Sequence, residues 1–332
     1  MKRALRQREL SASLFLLVAA LVSCENAGAD RTIGLSATGI VRGTVYFDAN
    51  GSQTQDAEDV LFPGAGVRLL SPVSRDTLFR ATTGVDGSFR LAGVPVGSYA
   101  VVIDRASAGD SARVVGVSAP LVRVLPGDSV QVSGSISFLH ASAAQVRTLA
   151  LGTRVFVTGV ALNARSTFSD TLLHVVDTSG AIRATRVRPS AVTAGDSVRL
   201  RGRVSTRLGQ RALDDVSVFI VAPTFVPTAP TITTAVAATA AAGTLDAKLV
   251  MILNAGVTDT ATVSGHLTMT VNDGSGAVRV FLDRAADPTF RAPLPPALFV
   301  APNRFDIVGV LVPTGTGAWR IRPRSALDLT RR

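Results

Sequence analysis

Polar and hydrophobic residues alternate through much of the chain beyond residue 38, and a period of two is typical of strands with one buried face. The stretch 40–47 (IVRGTVYF) shows this alternation most clearly. Asp86-Gly87 and the tripeptide at 95–97 (PVG) supply tight turns between further alternating stretches. Together these features predict a seven-stranded β-sandwich over residues 39–139.

A second alternating pattern occurs twice in the remainder of the chain, over residues 145–222 and again over residues 231–330. The copies align on the turns at 177–180 (DTSG) and 273–276 (DGSG), and each copy has about five strands in the same order. We therefore expect two tandem domains of one fold, in which glycines mark the turns and bends that a closed barrel needs.

The segment 223–230 (PTFVPTAP) separates the two copies and predicts a stiff, extended linker. The alanine-rich stretch 234–245 departs from the strand pattern and predicts a short helix. Composition agrees with an all-β chain, because 47% of the residues are hydrophobic but only 5% are aromatic, with 29 Gly and 16 Pro. Small and β-branched residues with many turn formers favour short strands.

The first 24 residues predict an export signal. A basic start precedes the uncharged apolar run 11–22, which is shorter than the roughly 20 residues that a membrane-spanning helix needs. Leu-Val-Ser-Cys at 21–24 resembles the lipobox of bacterial lipoproteins, which implies acylation of Cys24. Cys24 is the only cysteine, so no disulfide partner exists for it. The alternative is an ordinary secretory signal with an unpaired cysteine near the cleavage site.

Residue 25 is Glu rather than Asp, which resembles the default signal for export to the outer membrane of a diderm bacterium. The following residues, 25–38, are small and show no apolar period, so they predict a flexible tether. We therefore expect a lipid-anchored protein of the cell envelope, with the outer membrane favoured over the inner one.

The motifs of residues 39–139 resemble two related groups of domains. The segments GTVYFDANGSQTQDAED, PGAGVRLL and TTGVDGSFRLAGVPVGSYAVVI look like the B-type repeat of SD-repeat surface adhesins and like carboxypeptidase regulatory-like, or transthyretin-like, domains. The resemblance implies a spacer or presentation module without catalytic activity. Some relatives carry a Lys–Asn isopeptide bond, which is excluded here because the only lysines are Lys2 and Lys248.

The repeated pattern of residues 145–222 and 231–330 resembles OB-fold barrels of secreted bacterial proteins. The shared order is V-x-V-x-G, then D-x-S-G-x-I/V-R, then a strand that ends in glycine. The predicted fold class is thus all-β, with an N-terminal seven-stranded β-sandwich followed by two tandem five-stranded OB-like barrels. OB folds bind oligonucleotides or oligosaccharides in a surface groove.

The loop after the first predicted strand is a candidate calcium site. Oxygen-bearing residues recur in it with the spacing of an EF-hand loop, at positions 1, 3, 5, 7, 9 and 12, and such a loop supplies the oxygen ligands that Ca²⁺ requires. The adhesin repeats that it resembles bind calcium with the same spacing. Two departures are Gln53 where a glycine is usual and an aspartate at position 12; the alternative is a solvated polar loop. The predicted ligands are Asp48, Asn50, Ser52, Thr54, Asp56 and Asp59.

The formal charge of +10 raises the question of a polyanionic partner. Four basic residues and one acidic residue lie within the first 24, so the rest carries about +7. Net charge bears on association rather than on fold. Single-strand binding would combine arginines with aromatic rings for stacking. The candidate ligand-binding residues are Phe281, Trp319, Arg320, Arg322, Arg183 and Arg186; the alternative for Trp319 is a core residue that closes the barrel.

The residues support no enzymatic mechanism, so we predict that the protein is not an enzyme. The motifs HExxH, GxSxG, GxGxxG and the phosphate-binding loop are absent from the sequence. Asp214-Asp215 is a carboxylate pair, but adjacent strand residues face opposite sides. The three histidines, at 140, 174 and 266, are expected at a surface or a sheet edge.

The sequence thus predicts a lipid-anchored envelope protein without catalytic activity, in which a sandwich spacer presents two binding barrels to an extracytoplasmic glycan or protein. We expect a monomer with, at most, a structural Ca²⁺ as cofactor. The alternative is an accessory subunit that binds single-stranded DNA or an acidic glycan beside a secreted nuclease; steep salt dependence would distinguish it. A third possibility is a histidine-dependent hydrolase, which His→Ala changes would test.

Overall fold

A computed structural model describes residues 37–104, 112–168, 171–290, 303–315 and 317–332. The predicted signal with Cys24, and the tether as far as residue 36, lie outside these ranges. The described part of the chain is all-β, as predicted, with twenty strands and only short helices. No helix in these ranges is both long and apolar enough to span a membrane.

The N-terminal domain is a sandwich of two sheets. One sheet has the order β4-β3-β6-β8. In the other, β1 pairs with β2 and β5 along one edge and with β9 along the opposite edge, and β7 pairs with β9. The strands are β1 Thr38–Phe47, β2 Val60–Leu61, β3 Gly66–Leu70, β4 Thr77–Thr82, β5 Ser88–Pro95, β6 Gly97–Ile103, β7 Ala112–Val117, β8 Leu121–Val124 and β9 Ser129–His140.

The sandwich has nine described strands where seven were predicted. Two of the nine are very short, since β2 has two residues and β8 has four, too few for an alternating pattern to reveal. The core follows the predicted alternation of β1, in which Val41 and Val45 are fully buried while Arg42 is exposed. They pack with Leu69 and Val101 from the facing sheet, so one core joins both layers.

The first barrel closes with five strands. Antiparallel pairs join β10 to β11, β11 to β12, β13 to β14 and β10 to β13, and a parallel pair joins β12 to β14. Numbered within the barrel, the order is 1-2-3-5-4-1, an OB-like barrel. The strands are β10 Arg154–Ala161, β11 Leu173–Asp177, β12 Gly180–Ala184, β13 Asp196–Arg207 and β14 Gln210–Pro223.

The second barrel repeats this order. Antiparallel pairs join β15 to β16, β16 to β17, β18 to β19 and β15 to β18, and β17 pairs with β19 in parallel. A short β20 adds to β18. Both predicted OB-like barrels are thus present. The strands are β15 Leu249–Val263, β16 His266–Asn272, β17 Ala277–Leu282, β18 Arg304–Pro313, β19 Trp319–Arg322 and β20 Leu329–Arg331.

A short helix precedes each barrel, α1 (Ala143–Val146) and α2 (Thr234–Thr239). The repeated D-x-S-G turn explains their position, because its side chains accept hydrogen bonds from the first amides of the helix. Asp177 accepts from Ala143 N at 2.7 Å, and Asp273 accepts from Thr234 N at 3.0 Å. The motif that aligned the two copies therefore caps a helix in each barrel.

The sandwich is continuous with the first barrel. The end of β9 pairs in parallel with β10, with His140 opposite Phe156, so one ten-stranded sheet runs through both domains. The Phe156 side chain is fully buried, and it stacks on the His140 ring at 5.2 Å.

The predicted linker 223–230 does not hold the barrels apart. Val226 and Ala229 pack against Leu162, Leu249 and Val310, which come from both barrels. β14 itself extends into the segment as far as Pro223. The linker thus forms part of the contact between the barrels.

Candidate ligand-binding surfaces

The second barrel covers the outer face of β11 and β12 in the first barrel. In OB folds this face, formed by the second and third strands, is where ligands commonly bind. Every residue of β12 is buried. The Arg183 guanidinium lies 2.9 Å from the carboxylate of Asp246, which precedes β15. The structure therefore corrects the prediction for Arg183, which serves the contact between the barrels and is only 2% exposed.

Arg186 lies nearby, on the surface. Its guanidinium pairs with both carboxylate oxygens of Asp214, while Arg188 pairs with Asp215 at 3.1 Å. The Arg186 pair holds the pKa of Asp214 below its ordinary value. Each acid of the predicted pair is thus engaged by a different arginine. Arg186 is accessible, but its charge is already compensated.

The corresponding face of the second barrel, on β16 and β17, is accessible. Thr268 and Thr270 are half-buried and Arg279 is exposed. Arg279 lies opposite Thr270 on one side and opposite Arg320 on the other. The Arg320 guanidinium stacks on the Phe281 ring at 4.0 Å. Two of the predicted ligand-binding residues, Phe281 and Arg320, therefore lie together on this face.

Phe281 supports this face from below and is itself only 8% exposed. The His266 ring lies 4.9 Å from the Phe281 ring, which also contacts the Arg320 guanidinium. The predicted stacking of a base or sugar on Phe281 is therefore incompatible with its burial. Its visible role is to fix the direction of Arg320.

Trp319 and Arg322 were predicted to bind a ligand, but the structure buries both side chains. Strand alternation places Trp319 on the inner side of β19, where it packs in the barrel core and is 7% exposed, as the alternative interpretation held. Arg322 points outward but is buried, because it pairs with Asp283 and lies 4.2 Å from the Phe168 ring of the first barrel. Neither residue is accessible to a ligand.

The predicted calcium loop, between β1 and β2, closes on its own polar side chains. Both oxygens of Asp48 accept backbone hydrogen bonds, from Ser52 and Gln53 at 2.9 Å each. The side chains of Asn50 and Ser52 donate to one oxygen of Asp56, at 2.9 and 3.0 Å. All six predicted ligands therefore belong to this hydrogen-bonded ring or border it: Asp48, Asn50, Ser52, Thr54, Asp56 and Asp59.

The loop fits a calcium ion in two respects. Gln53, at the position where a glycine is usual, has a positive φ of 66°, so the sharp bend is present without the glycine. Burial, together with the nearby Asp56 and Asp48, raises the pKa of Asp59, and a cation would relieve that repulsion. Among the described residues no three acidic, histidine or cysteine side chains form a metal cluster, so amide, hydroxyl and main-chain oxygens would have to complete the shell.

The histidines do not share one environment. His174 is fully buried, so its predicted position at a surface or a sheet edge is wrong; its Nδ1–H donates to Asn163 Oδ1 at 2.9 Å. Burial, with Arg183 and Arg322 nearby, holds the pKa of His174 well below its usual range. The ring is neutral at ordinary pH and belongs to the contact between the barrels. His140 and His266 are partly buried.

The sequence did not indicate that a group of basic residues would meet at the junction of the sandwich and the first barrel. Arg154, Arg201 and Arg203 lie beside Phe47 and Phe138 around one cleft. The alternation in 199–203 (RLRGR) was the available signal, because it directs every second arginine to one side of β13. The two phenylalanines gave no signal, since they come from another domain.

No family model and no curated protein matches the chain. Among solved structures it is similar to the hypothetical protein ygiW from E. coli, at 24% identity over 25% of this chain and 89% of that one, with a TM-score of 0.22. It is also similar to the Ifi202 HINa domain in complex with double-stranded DNA, at 12% identity over 53% and 94%, with a TM-score of 0.27.

The Bacillus anthracis TIE protein is similar over 86% of this chain and 48% of its own length, at 10% identity and a TM-score of 0.24. Likenesses at these scores carry no argument about function. The assignment of two OB-like barrels rests on the strand order in the structure.

Proposed function

We propose that this chain is a lipid-anchored protein of the cell envelope, without catalytic activity, that presents the second barrel to an extracytoplasmic glycan or protein. The observation that carries the proposal is the difference in exposure between the equivalent faces of the two barrels. The second barrel covers Arg183 on the outer side of β12, whereas Thr268, Thr270 and Arg279 of the second barrel remain accessible. The first barrel thus acts as a mount, and the second one offers the binding face.

The sandwich fits the role of a spacer between this face and the membrane. β9 runs from the sandwich into the sheet of the first barrel, and Arg201 donates to Ala49 O at 2.8 Å across the same junction. A stiff connection of this kind keeps the binding face at a constant distance from the tether. We assign the outer membrane as the location, on the lipobox resemblance that ends at Cys24 and on Glu25.

A structural Ca²⁺ in the loop of Asp48 and Asp59 forms part of the proposal. The loop's main-chain oxygens also accept from Arg199 and Arg201 of the first barrel, at 3.0 and 2.8 Å. A bound ion would therefore stiffen the junction as well as the loop. Calorimetric titration with Ca²⁺ should give heat for the wild-type chain and none for D48A or D56A; equal heat from D48A would contradict the assignment.

Binding to the accessible face can be tested with the chain from residue 25 onward and isolated envelopes of the organism that makes it. Arg279→Ala should reduce co-sedimentation, because it removes the exposed donor at the centre of the face. Arg207→Ala is the matched control, since Arg207 is also an exposed strand arginine but lies on the first barrel. Equal loss in both variants would attribute binding to general charge and would contradict the proposed face.

The polyanion alternative keeps one supporting observation, the group of basic residues at the sandwich junction. It predicts that retention on single-stranded DNA falls steeply with added salt. An absence of retention at low salt would remove this alternative.

A further inference from the structure

A cleft of about 330 Å³ lies between the sandwich and the outer surface of the first barrel. Its volume is at the lower end of the range for small-molecule sites, roughly 300–1,000 Å³. Phe47 and Phe138 form an apolar wall from the sandwich side, with their rings 5.1 Å apart and edge to face. The opposite wall is basic and consists of Arg154, Arg188, Arg201 and Arg203.

The positive charge in this cleft is only partly compensated. Its single lining carboxylate, Asp215, pairs with Arg188. Neither Arg154 nor Arg203 makes an ion pair in the part of the chain that the structure describes. These two arginines lie directly opposite each other on β10 and β13. Like charges in such a cross-strand position destabilise a sheet.

Arg201 adds a third guanidinium to the same wall. Burial lowers the pKa of Arg201, and the neighbouring charges of Arg188 and Arg154 lower it further. Its side chain is held in place by hydrogen bonds to Ala49 O at 2.8 Å and to Ser217 Oγ at 3.5 Å. A rigid, half-buried cation between other cations is costly without a ligand. An anion bound there would offset that cost and accept several hydrogen bonds.

We propose that this cleft binds a saccharide unit that carries a carboxylate, phosphate or sulfate group, with the anion on Arg154, Arg201 and Arg203 and the sugar ring against Phe47. Phe47 is the partly exposed ring of the apolar wall, whereas Phe138 is only 9% exposed. The anionic group follows from Arg154 and Arg203, which make no ion pair with any described residue. The saccharide follows from the cleft's volume and apolar wall, and it rests on the envelope location in the proposed function. The phenylalanines pack edge to face, which leaves no pair of parallel ring faces on which successive bases could stack.

Calorimetric titration of the chain from residue 25 onward, at low salt, tests the proposal with four probes. These are tri-galacturonate, uncharged maltotriose as its neutral match, inorganic phosphate and oligo-deoxythymidylate. We expect tri-galacturonate to bind, phosphate to compete with it, and maltotriose to give no heat. Preference for the oligonucleotide, or equal heat from maltotriose, would overturn the proposal.

Two variants locate the site. Arg203→Gln should weaken tri-galacturonate binding by about tenfold or more, because it removes a charge-assisted hydrogen bond. Arg207→Gln, on the same strand but outside the cleft, should change it by less than about twofold. Equal weakening by both variants would overturn the assignment.

The melting temperature of the Arg203→Gln variant distinguishes loss of the binding site from misfolding. It removes one of two facing like charges, so the ligand-free protein should melt at the same temperature as wild type or higher. A lower melting temperature would show that Arg203 stabilises the fold and would contradict the account of an uncompensated charge. Arg279→Ala, which tests the face of the second barrel, should leave tri-galacturonate affinity unchanged, so the two proposals can fail separately.

Discussion

Gln53 has a backbone conformation that residues other than glycine rarely adopt. Its φ of 66° places it in the left-handed region, where glycine is favoured. The surrounding loop enforces the bend, because Gln53 N donates to Asp48 and Ser52 N donates to the same carboxylate. The side chain is exposed. The strain at Gln53 therefore comes from the backbone alone.

Gln53→Gly should stabilise the sandwich by about 1 kcal/mol, since glycine reaches a positive φ without steric cost. Thermal unfolding measures the effect, and it should persist with and without Ca²⁺. Gln55→Gly is the matched control, because Gln55 is equally exposed and has no positive φ; it should be neutral or destabilising. A Gln53→Gly variant that melts below the wild type would contradict this account of the bend.

Single residues were the least predictable part of the molecule. The spacing of Asp48 to Asp59 correctly marked a loop whose polar side chains converge, because those contacts are local in sequence. The burial of His174 and of Arg322 could not be read from their neighbours. Their surroundings come from the other barrel, or from distant strands, and are set only when the chain has folded.

The D-x-S-G turn is the element that the two barrels share most closely. In the second barrel Asp273 accepts hydrogen bonds from Thr234 N, Thr234 Oγ1 and Ser275, so one carboxylate holds the helix α2 against the strand turn. Burial raises the pKa of Asp273, but the hydrogen bonds from Ser275 and Thr234 outweigh it and hold the pKa far below its ordinary value. The ionised form is therefore the stabilising one.

Asp273→Asn should destabilise the second barrel by about 2 kcal/mol at neutral pH, the usual range for hydrogen bonds to a charged group. A depressed pKa contributes stability that is present above the unfolded value of about 3.9 and is lost as pH falls below it. The difference between wild type and variant should accordingly shrink on acidification below about pH 4. Denaturant unfolding from pH 7 to pH 3 tests this; a difference that is constant with pH would contradict the ionised cap.

Strands and turns were predicted better than the positions of single residues. A strand is recognisable from the local alternation of polar and hydrophobic residues, and the repeat showed each pattern twice. The alignment on 177–180 and 273–276 found the equivalent turns before their capping role was visible. Two sandwich strands were too short to be counted from the pattern. The parallel pairs β12–β14 and β17–β19, which close the barrels, are long-range contacts and required the structure.

At the scale of the whole molecule, a buried ion pair fixes the two barrels to each other. Arg183 comes from β12 and Asp246 from the segment before β15, 63 residues later, and both side chains are almost fully buried. Burial raises the pKa of Asp246, although Arg183 and Arg147 oppose the shift. Such a pair contributes more to the specificity of the contact between the barrels than to net stability. Removing one partner is nevertheless costly, because the other charge stays buried.

Asp246→Asn should destabilise the chain by about 3–5 kcal/mol, because the buried Arg183 guanidinium would lose the carboxylate charge of Asp246. Denaturant unfolding should show a lower midpoint for the barrels. Asp215→Asn removes an acid from an exposed pair with Arg188 and should cost less than about 1 kcal/mol. Equal midpoints for Asp246→Asn and the wild type would show that the pair does not hold the barrels together.

The arrangement of the barrels decides which surface is available, and the sequence could not supply it. The two copies share their strand order and the D-x-S-G turn, yet one face is covered and the other is not. The covering contacts join residues that lie in different repeats, such as Leu162 with Leu249 and Val310. A prediction that treated both barrels as binding domains was therefore the natural one from sequence.

The most direct test of the account is a photo-crosslinking comparison in intact cells, with a photoreactive amino acid placed at Thr270 or at Leu208. Thr270 lies on the accessible face of the second barrel, whereas Leu208 is exposed at the β13–β14 turn of the first. We predict a discrete envelope adduct from position 270, lost with Arg279→Ala, and none from position 208. No adduct from position 270, or the same adduct from both positions, would contradict the claim that the second barrel carries the binding face.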